Sequence, residues 1–524
     1  MLTRTLMASC ALTMTAGLAT ADFTLTVLHT NDFHARFEPI SGFDSTCAAE
    51  DNVAGECFGG TARLITAVAE ARARAANSIL VDGGDQFQGS LFYTYYKGAM
   101  SAEFMNALGY DAMTVGNHEF DDGPEVLRGF VDTVSFPVLM SNADISGEPL
   151  LAGAIQKSVV IEVGGEQIGL IGLTPVDTDE LASPGPNVIF TPPADAVAAE
   201  VTLLTEAGVT KIIVLSHSGL NVDMAVAAAV PGIDVIVGGH DNSLLSNTIE
   251  GAKGPYPIMV GQTAIVQAYA YGKFLGELNV TFDDAGIVTA AVGEPIIMDA
   301  AVPEDAPTVA RIAELAIPLE EIRSRVVAEI PAPIDGARET CRMMECQMGN
   351  LVAEAMLARV ADQGVTIAIA NGGGLRSSID AGPVTMGEVL TVLPFQNTLS
   401  TFQVTGDVIV AALENGVSQM EEGAGRFPQV AGLMYTVDPA APAGARISDV
   451  MALVGGDAWA PIDPATVYSV VSNNYVRGGG DGYAMFIDAA NAYDFGPDLA
   501  DVTAEYLAAN APYTPFVDGR ITVK

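Results

Sequence analysis

Five histidines are spread through 524 residues, and all five fall within the first 240. His34 follows Asp32 in LHTNDFH, His118 follows Asn117 in VGNHEFDDG, His217 closes IIVLSH, and His240 precedes Asn242 in VGGHDN. Asp85 lies on the glycine-rich turn DGGDQ. Imidazole and carboxylate together suit zinc, manganese or iron, whereas calcium and magnesium favour oxygen ligands alone. Asp32, His34, Asp85, Asn117, His217, His240 and Asn242 are therefore candidate ligands for two divalent metal ions, Zn, Mn or similar. Two such ions about 3.5–4 Å apart can grip a phosphoryl oxygen and activate water for in-line attack. Asp85, on its tight turn, is suited to bridge them. A lone histidine is more often a hydrogen-bonded core or loop residue; the argument for metal rests on all five standing within two residues of Asp, Asn or Gly at strand ends. His29 still belongs to its apolar run and reads as support rather than as a ligand.

These residues sit just past short apolar or β-branched runs: FTLTVLH (23–29), SILVD (78–82), DAMTV (111–115), KIIVLS (211–216) and IDVIVG (233–238), with FPVLM (136–140) as a further strand. ARLITAVAEARARAAN and AVAAEVTLLTEAG between them carry helical periodicity. Such alternation predicts an α/β layered domain. Ligands of open α/β sheets gather beyond the carboxyl ends of strands, so five strand ends are expected to converge at one rim of a single β-layer. SVVIEV and QIGLIGLT read as a hairpin around GGEQ. From about 298 to 335 the texture changes to one charged helix between proline-rich pieces, which reads as a linker and hinge. Beyond it, MGNLVAEAMLARVAD (helix), TIAIAN and VYSVVSN (strands) start a second α/β domain. The expected boundaries are 22–300, 301–335 and 336–524, after a targeting segment at 1–21.

The second half has its own polar blocks. Arg342 lies on a short loop between Cys341 and Cys346, and Asn371 opens NGGGLR, which contains Gly374 and ends in Arg376. Backbone N–H groups of a glycine loop can cradle an anion, and arginine binds phosphate as a bidentate fork; a plain turn would read the same. Phe395 and Tyr475 occupy loop positions from which they could stack on a base, although ordinary core aromatics fit as well. Asp481 could accept hydrogen bonds from ribose hydroxyls.

A formal charge of −41, from 64 acidic and 23 basic residues, repels nucleic acid and anionic membrane, so neither is expected as a partner. Small phosphates would need local metals or arginines. Arg4, a short apolar stretch and Ala19-Thr20-Ala21 read as a cleavable export signal, and DGRITVK has no apolar tail for a lipid anchor. A periplasmic or secreted protein without a stable membrane anchor is expected. The four remaining cysteines are close in pairs, which predicts local disulfides Cys47–Cys57 and Cys341–Cys346. A zinc-binding CxxxxC pair is the alternative, disfavoured because no histidine is near.

LHTNDFHARFE, GGDQFQGS, GNHEFD, HSG and GGHDN resemble the blocks of calcineurin-like dinuclear metallophosphoesterases. Their order, together with the second half, resembles the 5′-nucleotidase family of bacterial periplasmic and animal ecto-enzymes, over essentially the whole mature chain. The resemblance implies a four-layer α/β/β/α catalytic domain, a linker helix and an α/β nucleotide-specificity domain. It implies one metal on Asp32, His34, Asp85 and Asn242, and another on Asp85, Asn117, His217 and His240. His118 with Asp121 would form a catalytic dyad. Arg342, Asn371 and Arg376 would contact a small-molecule nucleotide whose base is sandwiched by Phe395 and Tyr475, a position where the family usually has Phe. The implied activity is hydrolysis of nucleoside 5′-monophosphates, extending to di- and triphosphates or UDP-sugars, by a monomer or homodimer. The alternatives are a 2′,3′-cyclic-nucleotide phosphodiesterase with 3′-nucleotidase activity, a thiosulfohydrolase, and an inactive nucleotide-binding protein.

Overall fold

The computed structural model describes residues 22–42, 44, 47–395, 397–453, 458–493 and 496–524; the expected export signal lies outside them. Two sheets, rather than one, form the core of the first domain. The first places Val288–Gly293, Phe274–Phe282, Phe23–Thr30, Ser78–Asp82, Ala112–Thr114 and Val138–Leu139 side by side, with Ile296–Ile297 added to Phe274–Phe282. The second has the order Ile258–Val260, Thr263–Val266, Val235–Val237, Lys211–Ser216, Glu166–Leu173, Ser158–Val163. The last two strands are the expected antiparallel hairpin, and the middle of each sheet is parallel.

Side-chain alternation explains how the layers stack. Leu25 and Val27 of the first strand face inward with Ile79, Val81, Leu170, Ile213 and Val235, while Leu28 and Leu80 face outward. The outer face is covered by Thr61–Arg74, Ala99–Leu108 and Gly123–Val131 through Leu64, Val68, Phe104, Met105, Leu127 and Phe130. Pro193–Glu206 and Leu220–Ala229 cover the other sheet through Val197, Val201, Leu204 and Val226. The result is the four-layer α/β/β/α order. The single-layer expectation fails because strands buried on both faces read as the same unbroken apolar runs whichever sheet they join.

The segment 301–335 is not one helix. Asp305 caps Ala306–Ala316 by accepting from the Thr308 N–H at 3.0 Å, an interaction contributing about 1 kcal/mol. That helix packs Ile312 and Ala316 into the first domain's core, and Arg311 pairs with Glu103. VVAEI is instead a strand, Val326–Ile330, paired antiparallel with Gly382–Thr385 of the second domain. Its β-branched residues override the helical spacing once a partner strand is available.

In the second domain a five-stranded sheet runs Pro428–Ala431, Ile367–Asn371, Val467–Asn473, Leu399–Thr405, Ala490–Tyr493. Gln347–Val360 and Leu499–Ala509 pack on one face, and Gly406–Gly416 on the other. Disulfides join Cys47 to Cys57 and Cys341 to Cys346. No helix among the described residues is long and apolar enough to cross a membrane.

Candidate active site

Strand ends from both sheets of the first domain deliver the histidines and carboxylates to one place. Ligand atoms of Asp32, His34 and Asp85 lie within 4.8 Å of one another, and so do those of Asp85, His217 and His240. Asp85 belongs to both groups. His240 Nδ1 lies 3.0 Å from Asn117 Oδ1, and the His240 backbone N–H donates to Asp32 Oδ2 at 2.9 Å. Asn242 is buried, with its Oδ1 lacking any hydrogen-bond partner. His29 stays within its strand, 2.8 Å from the Tyr256 hydroxyl and away from this group.

The backbone bends unusually to bring these groups in. Asp32, His34, Asp85, His240 and Asn242 all have left-handed φ, between 50° and 78°. Non-glycine residues held there cost on the order of 1–3 kcal/mol each, and such strain concentrates at functional sites. Glu119 holds part of the strain in place: its carboxylate accepts from the backbone N–H groups of Asp85, Gln86, Phe87 and Gly116 at 2.7–3.2 Å. Sequence reasoning misses Glu119, although it stands inside GNHEFD; a buried carboxylate leaves no periodic signal.

The donor set fits divalent cations. His34 and His217 donate from Nδ1 to the carbonyls of Phe87 (3.1 Å) and Gly83 (2.6 Å), which fixes their tautomers and leaves Nε2 facing the carboxylates. His34 Nε2 is 3.9 Å from both Asp32 Oδ1 and Asp85 Oδ2: too far to bond directly, yet spaced for one cation at about 2.0–2.2 Å from each atom. His217 Nε2 lies 2.9 Å from Asp85 Oδ2 without hydrogen-bond alignment and is otherwise buried and unpartnered. Burial pulls the His217 pKa down, but Asp85 and Asp32 lift it to about 10. The pocket thus calls for positive charge. A calcineurin-like fold with this donor set holds divalent metal.

His118 Nδ1 is 2.7 Å from Asp121 Oδ2, and His118 Nε2 is 4.0 Å from Asp85 Oδ2. Burial favours the neutral ring, yet Asp121 and Asp85 outweigh it and raise the pKa. The second domain closes over this dyad. Phe395 stacks on His118 with ring centroids 5.6 Å apart, and Arg376 Nη2 donates to His34 Nε2 at 3.1 Å.

Between the domains lies a cleft of about 770 Å³ lined by His34, Asp85, Asn117, His118, Asp121 and His240 on one side. Arg342, Asn371, Gly374, Arg376, Phe395, Tyr475 and Asp481 line the other side. Asn371 Nδ2 donates to Asp481 Oδ2 at 2.6 Å, and Asp481 in turn exchanges hydrogen bonds with the Tyr475 hydroxyl at 3.1 and 3.3 Å. The glycines of NGGG have a packing reason of their own, since a Cβ on Gly373 would lie 2.8 Å from Gly425 Cα. Arg338, missed from sequence, lines the cleft one helical turn before Arg342; the four-residue spacing was the available signal. Burial, then Arg338 and Arg376, drive the Arg342 pKa well down, and Arg342 Nε is buried without a partner. Three guanidinium groups crowded together in this way could receive an anion.

Fold and site define a metallophosphoesterase: residues 25–243 match the family model for calcineurin-like phosphoesterases, and residues 326–488 match that for the 5′-nucleotidase C-terminal domain. A 5′-nucleotidase precursor from Thermus thermophilus has a structure superposing with a TM-score of 0.91 at 40% identity, over 96% of this chain and 99% of that one. The 5′-nucleotidase of Diplobatis ommata is 38% identical over 96% of this chain and 90% of its own length. The human 5′-nucleotidase is 37% identical over 95% and 90%. The chain belongs to the 5′-nucleotidase family.

Proposed function

We propose that this protein hydrolyses nucleoside 5′-monophosphates to nucleoside and phosphate in the cleft between its domains. The observation that carries this is one carboxylate, Asp85, common to two cation-ready groups, facing three arginines and an aromatic pair across a single cavity. Asp32, His34, Asp85 and Asn242 would hold one divalent ion, and Asp85, Asn117, His217 and His240 a second, with zinc or manganese matching the mixed nitrogen and oxygen donors. Ions bound there supply Lewis-acid polarisation of the phosphoryl oxygen and a more acidic water. Arg338, Arg342 and Arg376 neutralise the phosphoryl group from the opposite wall. His118, whose proton affinity Asp121 and Asp85 raise, donates from Nε2 to the departing 5′-oxygen as the P–O bond breaks. Phe395 and Tyr475 take the base between them, and Asp481 takes the ribose hydroxyls. The two disulfides suit an oxidising compartment, periplasm or medium.

AMP, 3′-AMP, 2′,3′-cyclic AMP and UDP-glucose, offered to one zinc- or manganese-loaded preparation whose metal content is measured in parallel, test this. AMP should be turned over and a chelator should stop it. Activity confined to the 3′ or cyclic compounds would overturn the proposal.

Tyr475 stands where the family usually has Phe, and its hydroxyl ties down Asp481, whose backbone is itself left-handed at φ 55°. Tyr475→Phe keeps the stacking face but leaves that carboxylate held by Asn371 without the tyrosine hydroxyl. With net hydrogen bonds of about 1 kcal/mol, KM for AMP should rise about fivefold while kcat holds. Steady-state kinetics on the purified variant decide this, and an unchanged KM would assign the hydroxyl no part in binding.

A further inference from the structure

Asp481, the carboxylate assigned to the ribose hydroxyls, stands among Gly478, Gly479, Gly480 and Gly482, with its own backbone left-handed at φ 55°. Glycines offer no side chain to anchor the segment, and a non-glycine residue at such a φ is held there by its surroundings. Asn371, at 2.6 Å, and the Tyr475 hydroxyl hold the carboxylate end. The backbone is held from elsewhere. Asn415, on the helix Gly406–Gly416, donates from Nδ2 to the Asp481 carbonyl at 3.0 Å. Its Oδ1 faces Arg426 Nη1 at 3.5 Å. The Arg426 carbonyl in turn accepts from the hydroxyl of Tyr483, two residues beyond Asp481, at 2.7 Å. Arg426 thus closes a ring of contacts that reaches Asp481 through Asn415 on one side and Tyr483 on the other.

Arg426 is also a fourth guanidinium of the cleft, lining it while only 7% exposed. It acts on two acids of that cleft, Asp481 and, from the first domain, Asp177. Burial drives the Asp481 pKa up, and Asn371, then Arg426 and Arg342, oppose it. Burial raises Asp177 as well, against its own backbone N–H and Arg426, while Asp179 and Asp481 raise it further. Neighbouring buried carboxylates compete for a proton unless a cation stands by. A protonated Asp481 would present one acceptor fewer to the ribose.

We propose that Arg426 is a positioning residue for ribose recognition: it braces the Asp481 segment through Asn415 and supplies the counter-charge that keeps the carboxylate an acceptor, so that nucleotides with free 2′- and 3′-hydroxyls are selected over those lacking them. The proposal rests on the nucleotide reading above and adds a residue that neither base stacking nor phosphoryl binding requires.

The test compares AMP with 2′,3′-dideoxy-AMP on wild type, Arg426→Met, Arg426→Lys and Asn415→Ala, with inorganic phosphate as inhibitor. Wild type should bind AMP with a KM about tenfold below that of the dideoxy compound, the effect of hydrogen bonds to a charged acceptor. Arg426→Met should raise KM for AMP about tenfold and leave kcat, KM for dideoxy-AMP and phosphate inhibition near wild type. Arg426→Lys, which keeps the charge, should recover most of the loss. Asn415→Ala should lose the same discrimination, and decides the matter if the Met variant does not fold. A KM rise shared equally by both substrates would make Arg426 a general scaffold and overturn the proposal. Weakened phosphate inhibition would make it a phosphate ligand and overturn it equally. If wild type turns over no AMP, or does not discriminate between the two substrates, the underlying reading fails and this role with it; if wild type discriminates and the variants do so as well, only the Arg426 role is lost.

Discussion

Asp85→Asn should reduce AMP hydrolysis about 10³-fold and lower the bound metal at the same time. Among the described residues Asp85 belongs to both groups of ligand atoms, and its Oδ2 faces His34, His118 and His217 at 3.9, 4.0 and 2.9 Å. The carboxylate stays ionised far below its ordinary range: burial works against this, but His217, His118 and His34 prevail. An amide of the same shape keeps one oxygen and replaces the other with N–H donors, so it could not serve the two cations proposed above. Several kcal/mol of transition-state stabilisation are lost with them. Metal analysis and kcat on the same sample check the result. Full metal content with activity within tenfold of wild type would remove Asp85 from the bridging role proposed for it.

His118→Asn should lower kcat on AMP about 10²- to 10⁴-fold, the range for a lost general acid. The wild-type pH profile carries the sharper expectation. Burial depresses the His118 pKa, yet Asp121 and Asp85 raise it above the ordinary histidine value, so the imidazolium persists to higher pH than in a free histidine. An acid of this kind works below its pKa and is lost as pH rises through it; the wild-type rate should therefore fall on the alkaline side. In His118→Asn that limb should be absent from the residual activity, while metal content is retained because His118 lies outside both ligand groups. A variant whose alkaline limb persists would assign the limb to another group.

Much of this site can be read without coordinates, because polar residues following apolar runs are conspicuous. Asp32, His34, Asp85, His217 and His240 each end such a run, and strand ends in α/β folds face a common side. The division into two sheets is not legible, since Val27 and Val214 are equally buried yet belong to different layers. VVAEI reads as helix because its partner, Gly382–Thr385, lies far along the chain. Glu119 escapes a sequence reading because its importance lies in the backbone N–H groups its carboxylate gathers, which residue type does not encode. The aromatic and arginine positions of the second domain are ambiguous by composition; the resemblance to a known family, rather than spacing, singles them out.

The first strand, Phe23–Thr30, lies mid-sheet between Ser78–Asp82 and Phe274–Phe282. A chain that emerges amino end first therefore cannot complete its metal-binding body until residue 282 is free, because the earliest strand waits for one of the latest. Until then, Asp32 and His34 would remain without the complete body that also carries His217 and His240. Whichever compartment lets the chain finish folding is thus the one whose metal supply the completed site first meets.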